Sequence, residues 1–286
     1  TFENLYKEFG NAIIDKQYYN IIENKFLKIS FEKALADNNF ANGLPDTGFN
    51  YLNKIMIEKY NAVKRIPSFD VDMSSTLKPA SFLNYAQEAA NIHADYIGVG
   101  FDSMHVTRKG WVLARMHVIF HRLPKWRDHI NVQSWHKGAA GFQFFRDFVV
   151  FDNESREQLI SATTSWLVID IDTRRLSKFP ELVESNEKCI KEDVIAEQAP
   201  KITMPKEAVP ECVAVRDVAY SDLDMMGHVN NVKYTEWAMN AIELNVTTTR
   251  HIKELIINFN NEVKAGDSVE LFRHKEERED GTLVYY

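Results

Sequence analysis

From Arg65 onward the chain passes twice through one plan, strand then helix then antiparallel meander, at a spacing of roughly 145 residues. That repetition constrains the fold more than any single motif does. In the first pass a short strand is expected over 68–73, closed by a Ser-Ser-Thr turn. Pro79 suits a first helical position, and Phe82, Ala86, Ala89, His93 and Ile97 recur at helical spacing until Gly98 and Gly100 stop the helix. Val112, Ala114, Met116, Val118 and Phe120 then alternate with longer polar side chains over 111–121, and further strands are expected over 130–137, 142–151 and 159–171. One long helix beside such a meander buries its apolar stripe in the concave face of the sheet, which is an α+β plan.

The second pass has a strand over 213–220, a turn over 221–229, a helix over 231–244 and strands over 253–263, 268–275 and from 282. Between the passes, 181–212 is charged and carries Pro200, Pro205 and Pro210, so it reads as a linker. Ahead of them, 1–61 shows loosely helical spacing at 7–15 and 18–35, a turn-rich break at 38–48, and no motif. The expected organisation is a helical extension without an assigned role (1–61), a first domain (62–180), the linker, and a second domain (213–286). The chain opens on Thr and stops inside a strand at Tyr286, so the second domain reads as C-terminally incomplete.

Composition excludes several classes. With 286 residues, 45% of them hydrophobic, the chain has enough material for a real core, yet no run approaches a membrane span. A formal net charge of −7 disfavours non-specific nucleic-acid binding. The two cysteines, Cys189 and Cys212, lack the spacing of a disulfide framework or a metal site, which suits a reducing cytoplasm. The remaining histidines show no metal-ligand pattern, and there is no phosphate loop or dinucleotide fingerprint, so neither metal nor cofactor is expected.

The chemistry concentrates in Tyr220-Ser-Asp222-Leu-Asp224-Met-Met-Gly227-His228-Val-Asn230-Asn231-Val-Lys-Tyr234. Two acids, a glycine, a histidine and two asparagines crowd a strand-to-helix junction, where a helix start offers unpaired N–H groups and a positive dipole end. Such donors stabilise an oxyanion, and a nearby carboxylate activates water. Gly227 permits a positive φ, and Asn230 or Asn231 caps the helix or helps form the oxyanion site. Asp, Gly and Asn are also everyday turn residues, so a polar turn with an N-cap remains an equal reading of these residues alone.

The run D-L-D-M-M-G-H-V-N-N-V-K-Y resembles the D-x-D-x-x-G-H-x-N-N-x-x-Y signature of hotdog-fold thioesterases. Gly110-Trp-Val-Leu-Ala-Arg115-Met, Pro124-Lys-Trp126 and Thr173-Arg-Arg-Leu-Ser-Lys178 extend the likeness to the acyl-acyl carrier protein thioesterases of plants and bacteria, over roughly Arg65 to Asp267. The resemblance implies an α+β double (tandem) hotdog, each half a long helix wrapped by an antiparallel sheet. It implies hydrolysis of fatty acyl-carrier thioesters, ending fatty acid synthesis, with an acyl carrier protein as partner. Asp224 matches the acid beside the scissile thioester, His228 the family histidine, and Glu262 a glutamate on the following strand. The first half would hold the acyl chain, with Phe82, Tyr85, Ala86 and Ala89 as lining, and Arg174, Arg175 and Lys178 would dock the acidic carrier. Two departures bear on mechanism: Met226 stands where plant members carry Asn, and Val263 where they carry Cys. A Cys nucleophile is therefore not expected, and a carboxylate route through Asp224 is. Rival readings are an acyl-coenzyme A thioesterase, a hotdog hydratase or dehydratase, and a non-catalytic acyl-binding module. Pairing of two chains into a homodimer stays open.

Overall fold

The computed structural model describes residues 59–179 and 189–286, so the helical spacing read within 1–58 lies outside it. The first strand, β1 (Tyr60–Arg65), falls earlier than the 68–73 expected, and Ser68–Asp70 is instead a 3-10 turn. Pro67 brings no N–H to a ladder, and the Asp72 carboxylate accepts the Ser74 and Thr76 N–H groups, which curls this stretch into a turn. Helix α1 (Pro79–Tyr96) then starts on proline as its spacing implied. Gly98 ends it at φ +79°, a backbone conformation that side chains with a Cβ resist. A short α2 (Phe101–Val106) leads into the meander β2 (Lys109–Phe120), β3 (His129–Ala140), β4 (Gln143–Asp152) and β5 (Gln158–Asp170).

Period-two alternation sends Met116, Val118 and Phe120 of β2, Ile130 and Val132 of β3, Phe148 and Val150 of β4, and Ile160 and Ala162 of β5 to the concave face. There they pack on Phe82, Leu83, Ala86, Ala89 and Ala90 of α1. Among the described residues, the Arg146 cation enters this core. Arg146 donates to Ser134 Oγ and bonds His93 Nδ1, each at 2.9 Å, and burial pulls its guanidinium down to about 10.

The second half supplies β6 (Glu211–Asp217), a 3-10 turn (Tyr220–Asp222), α3 (Asn231–Asn240), α4 (Leu244–Thr249), β7 (Glu254–Asn258), β8 (Ser268–Arg273), β9 (Lys275–Glu277) and β10 (Leu283–Tyr285). The helix expected over 231–244 stops at Asn240. Arg273, from β8, donates to the Ala241 carbonyl at 2.7 Å and so caps it from a distance. The strand expected over 253–263 shortens to β7, which pairs with β2 of the first half, from Ile119↔Glu254 to Arg115↔Asn258. One antiparallel sheet, β1-β3-β4-β5-β2-β7, therefore runs through both halves, and α1 packs against α3. β6 pairs with β8, and β9 with β10.

The described part of the expected linker, from 189 to 210, has neither helix nor strand but is strapped to the outer face of β3 and β4. Asp147 accepts the Val194 N–H at 3.0 Å and Trp135 Nε1 donates to the Glu192 carbonyl at 3.2 Å. Asn258 holds the strap's far end, accepting from Ile202 and donating to the Pro200 carbonyl.

Candidate active site

Asp222 is buried and builds the turn. Its carboxylate accepts the Ala219 N–H at 2.9 Å, and its carbonyl accepts the Asn230 N–H at 2.8 Å. Asp224 Oδ1 accepts the N–H groups of Met226, at 2.8 Å, and His228, at 3.2 Å. Among the described residues its Oδ2 accepts nothing. Gly227 sits at φ +75° with nothing within 4 Å of where a Cβ would lie, so conformation rather than space calls for glycine. Asn230 is the N-cap of α3, its Oδ1 accepting the Val232 N–H at 2.9 Å. The Asn231 N–H, at the first helical position, has no acceptor among the described residues.

His228 lies half-buried, with Nε2 at 3.5 Å from Glu262 Oε2. Glu262 follows β7 on a stretch anchored by the Val229 N–H to the Val263 carbonyl (2.8 Å) and by the His228↔Lys264 bridge. Its Oε2 also meets Arg174, which reaches over from the turn after β5. Tyr234, one turn into α3, completes the group. Desolvation raises its hydroxyl pKa, the Val263 N–H opposes that, and the Glu262 and Asp224 charges add to the rise. Its ring stands edge-on to Phe259 at 5.8 Å.

The first half carries a twin of this turn. Asp72 Oδ1 accepts from Ser74 (2.8 Å) and Thr76 (2.9 Å) as Asp224 Oδ1 does from Met226 and His228. The Asp72 N–H donates to the Thr76 carbonyl and the Asp224 N–H to the His228 carbonyl, both at 2.8 Å. Ser75, at φ +60°, takes the place of Gly227. Leu77 donates to the Pro124 carbonyl as Val229 does to that of Val263, and Thr76 bridges Lys125 as His228 bridges Lys264. By this register Thr76 replaces His228, Leu123 replaces Glu262, and Pro79, with no N–H, replaces Asn231. The aspartate turn is thus a shared folding device. Only the second copy adds the histidine, the carboxylate and the unpaired helix-start donor.

An apolar cleft opens where α3 begins. Leu83 and Ala86 of α1, Met116 of β2, Phe148 of β4, and Asn231 and Val232 of α3 line it. Of the four residues expected to line an acyl pocket, the structure brings only Ala86 there. Phe82 is fully buried edge-on to Phe120, Tyr85 donates its hydroxyl to Asp70 beneath Lys64, and Ala89 lies in the core. The buried stripe of α1 is wide, and its 3.6-residue period does not say which edge of the stripe meets a core and which a cleft. Leu83 was not anticipated for that reason. Arg174, expected to dock a carrier, pairs with Glu262, while Arg175 and Lys178 are exposed with no ion pair to a described carboxylate. Tyr234 stood in the motif, but nothing in one dimension placed its ring edge-on to Phe259.

Residues 57–185 match the family model of the acyl-ACP thioesterase N-terminal domain, and 211–286 that of the C-terminal domain. The chain is 26% identical over 293 residues to an oleoyl-acyl carrier protein thioesterase, chloroplastic, of Coriandrum sativum, covering 95% of this chain and 76% of that protein. It is 30% identical over 207 residues to a palmitoyl-acyl carrier protein thioesterase, chloroplastic, of Gossypium hirsutum, covering 69% of this chain and 50% of that one. Among solved structures, an acyl-ACP thioesterase from Bacteroides thetaiotaomicron superposes with TM-score 0.69 at 21% identity, over 82% of this chain and 96% of that one. A 12:0-ACP thioesterase from Umbellularia californica gives 0.68 at 23%, over 79% and 90%. At such identities these likenesses establish the fold, an α+β double hotdog with antiparallel sheet.

Proposed function

Because the chain belongs to the acyl-acyl carrier protein thioesterase family, we propose that it hydrolyses fatty acyl-carrier thioesters to free fatty acid and carrier, the step that ends fatty acid synthesis. One observation carries the reading: the turn bearing Asp224 and His228 opens into α3, and the first two residues of α3 line the apolar cleft. The cleft is narrow, about 20 Å³, so an acyl chain entering it parts the lining at Ala86 and Val232 and brings its thioester carbonyl to the helix start. The Asn231 N–H and the positive end of α3 then receive the charge that grows on the carbonyl oxygen.

Asp224 Oδ2, free of the turn's bonds, takes a proton from water as the water oxygen bonds to the carbonyl carbon, or itself attacks that carbon to give a mixed anhydride that water then hydrolyses, restoring the carboxylate. The tetrahedral adduct collapses by breaking the C–S bond. His228, oriented by Glu262, delivers a proton to the departing carrier thiolate and regains one from the water consumed, so the centre returns to its starting state. Arg175 and Lys178 are exposed cations suited to steering an acidic carrier. Cys189 and Cys212 lack the spacing of a disulfide framework or a metal site, which fits a reducing compartment, by this reading the cytoplasm.

The test is thiol release from purified carrier thioesters of graded chain length, run beside the matched coenzyme A thioesters and an enoyl substrate. Release with higher kcat/KM on carrier substrates is expected. Equal efficiency on coenzyme A overturns the carrier assignment, hydration of the enoyl substrate favours a lyase, and a bound acyl chain without thiol release removes the hydrolase reading.

A further inference from the structure

The turn after β5 presents Arg174 from a tightly held backbone. Asp170 Oδ1 accepts the N–H groups of Asp172 and Thr173 and the Thr173 hydroxyl, at 3.1, 2.7 and 2.8 Å. The Arg174 N–H donates to the Asp170 carbonyl at 2.9 Å, and the Asp170 N–H to that of Arg175 at the same distance. The turn's other acid, Asp172, is taken by Arg108. Arg174 is left to meet Glu262, 88 residues away in sequence and in the other half of the chain. The same oxygen, Glu262 Oε2, faces His228 Nε2 at 3.5 Å. One carboxylate oxygen is thus shared between a cation of the first hotdog and the imidazole of the second.

With side chains 44% and 34% exposed, this ion pair adds little to stability. Its consequence is geometric and electrostatic. Glu262 lies outside any strand, and Arg174 is the partner that fixes its side-chain direction toward His228. Arg174 also balances the glutamate's charge near a site where negative charge develops during thioester cleavage.

We propose that Arg174 is a positioning residue for the reaction, holding Glu262 against His228 so that a residue of the first hotdog completes the catalytic centre of the second. The assignment rests on the hydrolase reading for its kinetic consequence, but not for its geometric one.

The experiment compares Arg174→Gln, Arg174→Lys, Glu262→Gln and the Arg174→Gln/Glu262→Gln double variant with the unmodified chain. Steady-state rates are taken on matched carrier and coenzyme A thioesters, and His228 imidazole nitrogens are followed by NMR. Arg174→Gln is expected to lower kcat about 100-fold on both substrates, the loss typical of a misplaced reacting group, with KM little changed. Arg174→Lys recovers most of that loss, and the double variant is no slower than Glu262→Gln. The His228 nitrogen signals move in Arg174→Gln as they do in Glu262→Gln. A rise in KM confined to the carrier substrate, with kcat intact, makes Arg174 a docking residue and overturns the proposal. Multiplying losses in the double variant overturn it too. If the unmodified chain releases no thiol, the hydrolase reading falls. The NMR comparison then decides the position of Arg174 by itself, and unmoved His228 signals in a folded variant sink it.

Discussion

The twin turns allow one substitution to be made twice in the same molecule, once where chemistry is assigned and once where it is not. Asp224→Asn and Asp72→Asn each keep an Oδ1 acceptor for two N–H groups, at 2.8 and 3.2 Å in one turn and 2.8 and 2.9 Å in the other. Each loses the negative charge. A hydrogen bond to a charged acceptor is worth about 1.5–3 kcal/mol and a neutral one about 0.5–1.5, so two such bonds weaken by roughly 2 kcal/mol together. Both aspartates are half-buried, and water competing for them reduces the loss to about 1 kcal/mol. The two variants should therefore melt about 2–4 °C below the parent, by nearly equal amounts. Their rates should differ sharply. Asparagine neither accepts the water proton nor attacks a carbonyl, so Asp224→Asn is expected to lower kcat about 1000-fold, while Asp72→Asn leaves it near the parent value. Thermal melts with thiol-release kinetics on one carrier thioester provide the assay. Equal kcat in both variants would refute the reasoning, because Asp224 would then be a turn builder and nothing more.

Asn231→Pro copies the opening of α1 and removes the unpaired N–H. Asn230, at φ −60° and ψ 137°, already has the backbone that Lys78 has before Pro79, so the helix should persist while kcat falls about 100-fold. Asn231→Ala keeps the N–H and should lose far less; equal losses in the two rule out that donor. Ala86→Phe fills the cleft and should cut kcat/KM for the longest accepted chain about tenfold or more relative to a chain two carbons shorter. An unchanged chain-length profile in a folded variant refutes the cleft assignment. Burial, and then the charge of Arg146, lower the His136 pKa to about 4, below its ordinary value of about 6.5. The unfolded chain therefore binds the extra proton first, and stability present above pH 6.5 is lost as pH falls toward 4, by up to roughly 3 kcal/mol. In urea unfolding at pH 7 and 4.5, His136→Leu should lose less stability than the parent over that interval, and equal losses contradict the assignment.

Elements with a strong local period were legible along the chain. The stripe of α1, opened by Pro79, and the alternation in β2 to β5 need only neighbouring residues to be read. The segment Asp222–Asn231 was legible too, because its residue types form the turn through their own side chains. A distant partner overrides the local preference at two places: Arg273 ends α3, and β7 leaves its own half to pair with β2. Over 68–73 the competing signal is itself local, the Asp72 carboxylate curling a would-be strand into a turn.

Residue order alone thus determined that there are two copies of one plan, and that only the second carries an aspartate, a histidine and a polar helix start together. Local hydrogen bonds and side-chain periodicity act over a few residues, so that much is written in one dimension. Tertiary structure decided that Asp224 Oδ1 is occupied by the turn and Oδ2 is not, that Ala86 rather than Phe82 meets the cleft, and that Arg174 closes on Glu262. These depend on which surfaces approach when a sheet spanning both halves curls around α1, and contacts between residues far apart in sequence leave no local signature.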